Sequence, residues 1–357
     1  MVTRKDIARR ANVSVSVVSR VLNNSGYVNQ EKKKEILQIA DEMGYRPNSI
    51  AVSLASKRTR QMIFFCRDVE NPFNIELYEG MLDVAARNGY MVTLNGKLDY
   101  IDVKNMMVDG VILSDDNCAE VYMNVIGKRY YLPVVSASFG NPTYMSRSLP
   151  LVECDLWKGS KLILEYLWNK GHRKIALATP FKDGTERQSV RYSAWREFLR
   201  EELGDKIDNY YLGIPTNDLA EGTRFIEYSE QNEEKQVEVG EDFFYKGETA
   251  AKMFYERRLD ATAVICFNDE LALGFCKKIR VLGYQVPEDV SIVGIDGAFS
   301  RKYADVLLTS LALNPRKQGE KCAEVLLDMI HGRKYKHVTQ IPMKIVEGES
   351  VKTIKLR

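Results

Sequence analysis

From residue 61 onward, short apolar runs alternate with amphipathic stretches of helical length, and this alternation restricts the fold more than any other feature of the chain. Runs such as MIFFC at 62–66, AVICF at 263–267 and SIVGID at 291–296 have the length and composition of buried strands. Several stretches between the runs end at a glycine, as at Gly89 and Gly283. Repeated strand and helix units predict parallel, doubly wound sheets, and their number predicts two such sheets.

The same periodicity assigns the individual elements of this α/β region. It predicts strands over 62–66, 90–94, 109–114, 132–137, 174–179, 263–267, 291–296 and 340–346. It predicts helices over 75–88, 159–169, 193–202, 247–257, 270–282 and 315–330.

Polar residues follow several of the predicted strands at the same edge of each sheet. They are Asp68 and Asn71 to Asn74 after the first strand, Ser114 to Asp116 after the third, Asn268 and Asp269 after AVICF, and Asp296 after SIVGI. Any one of them alone is typical of a helix cap or a loop acceptor. Ligands of doubly wound proteins bind beyond the carboxyl ends of the strands, so the recurrence at one edge predicts a polar ligand there.

The start of the chain has a different pattern, with short helices separated by turns. Thr3, with Asp6 three residues later, resembles a capping box, and Ser14 is suited to cap a second helix over 15–23. A third helix is predicted over 30–43, with Ile36, Leu37 and other apolar residues on one face. Two short helices that meet at a tight turn predict a helix-turn-helix, and an ordinary helical hairpin is the alternative.

The second of these helices carries small residues and one arginine on the side opposite its apolar face. They are Val15, Ser16, Ser19, Arg20 and Asn23. Such side chains can reach base edges in a major groove, so this face predicts sequence-specific binding to double-stranded DNA. Residues 1–60 contain twelve Lys or Arg and five acidic residues, whereas the rest of the chain has a net charge of −5. A basic head on an acidic body is typical of a module that binds a polyanion.

The segment SIAVSLAS at 49–56 joins the two regions and is more apolar than a flexible tether. One interpretation is a short helix packed on the body. The other is a hinge helix that orders on DNA and inserts Leu54 into the minor groove.

Composition and motifs restrict the protein class. The six cysteines are scattered, with no C-x-x-C pair, so we expect the protein in a reducing compartment. The histidines lie away from the polar cluster at the strand ends, and we expect neither a metal nor a cofactor. A charged beginning and the lack of a long apolar run predict a cytoplasmic protein with no membrane partner. No G-x-G-x-x-G or G-x-x-x-x-G-K motif is present, which argues against an enzyme.

The chain resembles the lactose-repressor (LacI/GalR) family of bacterial transcriptional regulators over essentially its whole length. The stretches that carry the resemblance are TRKDIARRANVSVSVVSRVLNNSGYVNQE, GYRPNSIAVSLASKRTRQ, NPFNIELYEGMLDVAARNGY, VDGVIL, KGHRKIALAT, FNDELALGF and VPEDVSIVGID. The resemblance implies an all-α helix-turn-helix head on an α/β body of two doubly wound lobes, like the periplasmic sugar-binding proteins. It also implies a homodimer that binds a near-palindromic operator.

The resemblance implies three domains. They are a DNA-binding domain at 1–46, a hinge helix and linker at 47–60, and an effector-binding and dimerisation core at 61–357. Within the core, the first lobe is expected at about 61–152 and 299–330, and the second lobe at about 153–298 and 331–357.

The family's motifs also imply functional positions. The DNA-binding set is Thr3, Ser14, Val15, Ser16, Ser19, Arg20, Asn23, Ala51 and Leu54. Arg191 and Asp269 match the family's effector-binding arginine and aspartate, and we expect them to form a pair that bonds vicinal hydroxyls. The other cleft positions are Phe73, Asn74, Asp155, Phe243 and Asp296.

The chain departs from the family pattern at several positions. Val17 stands where a phosphate-binding threonine is usual, so that contact should be absent. Asn74 replaces an aromatic residue and supplies an amide that can bond hydroxyls. Gly297 replaces a frequent acid, and the helix between Leu94 and Val108 is shorter than usual.

Together these features predict a repressor of carbohydrate-utilisation genes whose operator binding is controlled by a sugar or sugar phosphate between the lobes. Two alternatives remain. In one, a phosphocarrier protein docks on the body and replaces the small effector, as in catabolite-control regulators. In the other, the protein is a sugar-binding protein that is not exported.

Overall fold

The structure is a computed structural model that describes residues 2–46, 58–96, 100–127, 132–140, 146–182, 189–214, 225–228, 234–237 and 242–355. It divides into two compact units, which we call the head, Met1–Thr59, and the body, Arg60–Arg357. Residues 47–57 of the predicted hinge, with Ala51 and Leu54, lie outside the described residues.

The described residues of the head form three helices, α1 (Arg4–Arg10), α2 (Val15–Leu22) and α3 (Gln30–Glu42). Both predicted N-terminal caps are present, since Asp6 accepts a hydrogen bond from the Thr3 backbone N–H at 3.0 Å and Ser14 accepts one from the Val17 N–H at 3.4 Å. Seven apolar residues form the core: Ile7, Ala8, Ala11, Val18, Val21, Ile36 and Ala40. The predicted helix-turn-helix is confirmed.

The body contains fourteen strands among its described residues. In chain order they are β1 (Gln61–Phe65), β2 (Met91–Asn95), β3 (Gly110–Leu113), β4 (Val134–Ser138), β5 (Leu151–Glu153), β6 (Ile175–Thr179), β7 (Tyr211–Gly213), β8 (Phe225–Tyr228), β9 (Glu234–Val237), β10 (Ala263–Cys266), β11 (Ser291–Asp296), β12 (Thr309–Ala312), β13 (Val338–Gln340) and β14 (Lys344–Val346).

These strands form two six-stranded sheets and one antiparallel hairpin, β8 with β9. The first sheet has the order β13-β5-β4-β3-β1-β2 and is parallel throughout. The second has the order β14-β12-β11-β10-β6-β7, in which β14 is antiparallel to β12. The prediction of two doubly wound sheets is therefore confirmed. We call the region around each sheet the first and the second lobe.

Seven helices of the body's described residues cover the two sheets. They are α4 (Pro72–Arg87), α5 (Asp116–Ile126), α6 (Leu156–Asn169), α7 (Val190–Leu203), α8 (Phe243–Glu256), α9 (Asp269–Val281) and α10 (Pro315–Ile330). Within the described part of the chain, no helix is both long enough and apolar enough to cross a bilayer.

Two glycines allow α4 and α10 to pack backbone against backbone. A Cβ on Gly80 would lie 2.0 Å from the Arg316 carbonyl oxygen, and one on Gly319 would lie 1.8 Å from the Leu77 carbonyl oxygen. Larger side chains would push the helices apart. This contact fixes α4, whose first turn faces the carboxyl ends of the strands.

The predicted lobe boundaries are wrong at two places. β12 falls in the segment assigned to the first lobe but pairs with β11 in the second sheet. β13 falls in the segment assigned to the second lobe but pairs with β5 in the first sheet. The single strand predicted at 340–346 is in fact β13 and β14, which belong to different sheets. Strands of three or four residues are too short to show a periodic pattern in the sequence. Their pairing partners are distant in sequence, so the pattern could not assign these strands to a sheet.

Other differences are local. Leu37, predicted on the apolar face of α3, is 43% exposed because it lies one residue, or about a quarter turn, beyond the buried Ile36. The periodicity also missed α5 and five strands, β5, β7, β8, β9 and β12. Between β2 and β3, the described chain has a 3₁₀ helix at Tyr100–Asn105, in agreement with the predicted shortening there.

Candidate functional site

The exposed side of α2 is the candidate DNA-binding face. Val15 is 41% exposed, and Ser14, Ser16 and Arg20 are exposed as well. The Ser14 and Ser16 hydroxyl oxygens lie 2.8 Å apart in a hydrogen bond. Val18 and Val21 on the opposite side are buried, so α2 is held by its apolar face and presents its polar face to a partner.

Ser19 and Asn23 lie on the same side of α2 but already bond to the head. Arg4 donates to the Ser19 hydroxyl at 3.0 Å and to the Asn23 side-chain oxygen at 3.3 Å. Thr3 is tied to Asp6, whose pKa is lowered by the hydrogen bonds from Thr3. Val17 packs against the head core, which agrees with the predicted loss of a phosphate-binding side chain at this position.

An aromatic and charged cluster lies at the carboxyl end of the second sheet. The Arg191 guanidinium, near the start of α7, lies 3.9 Å above the centre of the Phe267 ring, which directly follows β10. Phe243, the first residue of α8, stacks on the same ring at 5.7 Å with an interplanar angle of 19°. Phe181 meets Phe267 edge-on at 5.2 Å. We call these four residues, with Asp296, the second-lobe pocket.

Asp296 is the acidic member of this pocket. It ends β11 with a φ of 123° and is 9% exposed. Burial and the nearby Asp269 raise its pKa well above the usual value, and Arg191 opposes that shift. Burial in turn lowers the pKa of Arg191 to about 10, against the attraction of Asp296. The charge of Asp296 acts on Arg191, and the prediction that Arg191 and Asp269 together bond the hydroxyls of a ligand stays a prediction.

Asp269 is enclosed and bonds to protein groups. It is 1% exposed, and its two carboxylate oxygens accept hydrogen bonds from the Ser310 hydroxyl and, at 2.9 Å, from the Ala298 backbone N–H. Burial raises its pKa to about 7. In this structure Asp269 links α9 to the loop after β11 and to β12.

Sequence-predicted residues of the first lobe lie at the carboxyl end of its sheet. Phe73 is buried and packs on Phe139 at a ring distance of 5.5 Å. The Asn74 amide, predicted to bond ligand hydroxyls, donates to the Asp68 carbonyl oxygen at 2.7 Å. Asp155 caps α6 and forms an ion pair with Lys158 at 2.8 Å, and its pKa is lowered by that hydrogen bonding against the opposing effect of burial.

Several strand-end residues act as helix caps, the alternative that the sequence left open. Asn71, Asp115 and Asn268 each accept a hydrogen bond from a backbone N–H in the first turn of the following helix. Fewer of the predicted side chains at this edge are therefore left to bind a ligand than the sequence predicted.

Acidic groups surround the pocket. Burial raises the pKa of Glu270, in the first turn of α9, to about 7, and repulsion from Asp68, Asp242 and Glu70 adds to that shift. The same burial raises the pKa of Asp68. Because Asp68 and Glu70 follow β1 whereas Glu270 follows β10, acids of both lobes act on one another across the body.

The sequence reasoning missed four of these residues: Phe139, Phe181, Phe267 and Glu270. The aromatic three share a position, since each lies within two residues of the carboxyl end of a parallel strand. Attention to aromatic as well as polar residues at that edge would have found them.

The head and the body each match a known protein family. Residues 3–48 match the bacterial regulatory proteins of the lacI family, and residues 164–351 match the periplasmic binding protein-like domain. The chain belongs to the lacI family of regulators. The head supplies the family's DNA-binding domain, and the body supplies its ligand-binding domain.

Similar proteins match along the whole length of this regulator. It is 27% identical to the HTH-type transcriptional repressor PurR of Vibrio atlanticus, with 99% of this chain and all of that protein covered. It is 28% identical to the ribose operon repressor of Halalkalibacterium halodurans, with 99% and 98% covered. The lac repressor dimer bound to operator and anti-inducer has the same fold, with a TM-score of 0.74, 20% identity and coverage of 98% and 99%.

These similarities define the protein class. The relatives are transcriptional repressors rather than enzymes, so the protein is a DNA-binding transcriptional regulator of the lacI type. The prediction of the family and of its fold is confirmed.

Proposed function

We propose that this regulator is a cytoplasmic, dimeric repressor of carbohydrate-utilisation genes that a small sugar controls. The observation that carries the proposal is the second-lobe pocket. Stacked aromatic rings with an arginine and a buried carboxylate suit a ligand that has an apolar ring face and hydroxyls at its edge.

The charge around the pocket favours a neutral sugar over a sugar phosphate. Asp296, Glu270 and Asp68 have raised pKa values, which shows that adding negative charge there costs free energy. A phosphate would add about two more negative charges to this environment. A neutral sugar is also bound in a similar fold, a lacI-family regulator from Enterococcus faecium with bound ribose, TM-score 0.64 and 21% identity.

A hydrogen bond joins the two lobes. The Phe299 backbone N–H, after β11 of the second lobe, donates to Glu76 of α4 in the first lobe at 3.2 Å. We expect a sugar between the lobes to change their relative angle and thereby the spacing of the two hinge segments in a dimer, at residues 47–60. Coupling of this kind typically amounts to ~1–3 kcal/mol.

An exposed apolar surface on the second lobe supports the dimer. Phe299, Tyr303 and Val281 are 52%, 70% and 72% exposed. Phe244 and Leu273 line an adjacent groove beside Tyr303. Exposed apolar patches of this kind mark interfaces, and a second copy of the chain would supply a matching one.

Calorimetry of the full-length protein with ribose, cellobiose, glucose and glucose 6-phosphate tests the effector. We expect one neutral sugar to bind, and Arg191→Ala to weaken it by about tenfold or more, which is ~1.4 kcal/mol. Arg196→Ala is the matched control, because Arg196 lies on the same helix but forms an ion pair with Asp208. Equal affinity in the Arg191→Ala variant, or binding of the phosphate ester alone, would contradict the proposal.

A further inference from the structure

Arg4 has an unusual place for a cation. It is the first residue of α1, where the helix dipole disfavours positive charge. Its guanidinium nevertheless makes three hydrogen bonds to other parts of the head. Nε donates to the Tyr45 hydroxyl at 3.2 Å, Nη1 to the Ser19 hydroxyl at 3.0 Å and Nη2 to the Asn23 side-chain oxygen at 3.3 Å.

The partners of Arg4 connect α1, α2 and the end of α3. Ser19 and Asn23 lie one turn apart on the polar side of α2, and the Asn23 amide also donates to the Ser19 hydroxyl at 3.4 Å. Tyr45 lies just beyond the end of α3. Arg4 therefore ties the start of α1 to the candidate DNA-binding face of α2, and it brings a positive charge to the edge of that face.

The three hydrogen bonds of Arg4 use only three of its N–H donors, so others can bond a further partner. An arginine side chain has five N–H donors in a planar fork that suits phosphate oxygens, and three of them serve the bonds above. The side chain is only partly buried, and Asn23 beside it is exposed. A phosphate at this edge would meet a guanidinium whose orientation is already fixed by three bonds.

We propose that Arg4 is a positioning residue for operator recognition, which orients α2 through Ser19 and Asn23 and donates its two remaining N–H groups to a backbone phosphate of the operator. The inference rests on the proposed DNA-binding function. It adds a residue outside the set that the sequence predicted, and it gives Ser19 and Asn23 a role as acceptors for Arg4.

The experiment measures binding of the full-length protein to two duplexes across a salt series. One is the duplex that the wild-type protein enriches from a random library, and the other is a scrambled duplex of equal length. For Arg4→Gln we expect the slope of log affinity against log salt to fall by about 0.9, the value for one lost phosphate contact. We also expect a lower ratio of specific to scrambled affinity. Arg4→Lys keeps the charge but loses the fork, so it should retain more of the slope than Arg4→Gln and still lower the ratio.

Arg9→Gln is the matched control. It removes the same charge from the same helix, at a side chain that is 83% exposed and lies 4.0 Å from Asp6, so the affinity ratio should stay unchanged. Circular dichroism establishes that each variant is folded. If Arg4→Gln unfolds the head, the double variant Ser19→Ala and Asn23→Ala removes two acceptors with Arg4 still present and should lower the ratio by itself.

The outcomes separate this inference from the function on which it rests. If the wild-type protein does not discriminate between the duplexes, the proposed DNA-binding function fails. If it does discriminate, and Arg4→Gln retains both the salt slope and the affinity ratio, only the role of Arg4 is overturned. A ratio lowered equally by Arg9→Gln would also overturn it, because the effect would then belong to charge alone.

Discussion

The DNA-binding face of α2 and the second-lobe pocket use similar side chains in opposite environments. Ser16 and Arg20 are exposed on a small head whose described helices bury seven core residues. Arg191 lies over the Phe267 ring and Asp296 is buried, and burial shifts the pKa values of both. The head therefore meets its partner with charges that water already solvates, so its affinity should depend on salt. The pocket has charges whose environment a ligand completes, so its state should depend on pH.

The largest effect should come from the core of the head. Ile36 is fully buried, and Ile36→Ala should cost ~2–5 kcal/mol of head stability through lost packing. We expect operator binding to be lost while sugar binding is retained, as measured by calorimetric unfolding and by titration of both ligands. Leu37→Ala, one position further and exposed, is the control. Similar losses in the two variants would contradict the assignment of the core.

The next effect concerns recognition itself. Arg20→Ala should weaken binding to the enriched duplex by ~1–3 kcal/mol, because an exposed arginine on this face can donate two hydrogen bonds to a guanine edge. Fluorescence anisotropy with the enriched and scrambled duplexes measures the difference. An equal loss on both duplexes would show that Arg20 contacts only phosphates.

A smaller effect should follow from the cap of α2. The bond between Ser14 and the Val17 N–H is long, at 3.4 Å, so Ser14→Ala should cost about 0.5–1 kcal/mol, at the low end for such caps. Thermal unfolding of the head measures this cost, and Ser14→Asp should restore the cap. Failure of Ser14→Asp to recover stability would assign the loss to the contact between Ser14 and Ser16 instead.

The last prediction concerns the pH dependence of the body. The pKa of Glu270 is about 7, above the ~4.3 of an unfolded glutamate, so the folded protein keeps a proton that the unfolded chain has released. Stability should therefore fall as pH rises from about 4 to about 7 and then level off. Glu270→Gln should flatten this dependence in thermal unfolding of the body at several pH values. A midpoint that rises with pH over that range would contradict the burial of Glu270.

The sequence predicted the features whose signals lie close together along the chain. Thr3 with Asp6, and Ser14 with Val17, are signals confined to one turn of chain, and the structure has both. The long strands and helices of the body also show their period within a few residues. β12 and β13 were placed in the wrong lobe because three or four residues carry no period and their partners are far away in sequence.

The members of the pocket could not be predicted from the order of residues along the chain. A motif led to Arg191 and Asp269, but only the fold shows that Asp269 is buried with bonds to Ser310 and Ala298 and that the charge of Asp296 acts on Arg191. Phe267 became a stacking surface because Phe243 and Arg191 arrive from two separate helices. Burial and the direction of a side chain are tertiary properties, so sequence patterns predict the edge of the sheet and not the members of the site.

The most direct test of the account measures operator affinity of the full-length protein with and without the sugar that calorimetry identifies, in parallel with Arg191→Ala. We predict that the sugar changes the affinity for the enriched duplex by a factor of about 5–150 and leaves the scrambled duplex unaffected. The Arg191→Ala variant should bind the duplex but no longer respond to the sugar. An operator affinity that the bound sugar leaves unchanged, or a response that persists in Arg191→Ala, would contradict the account.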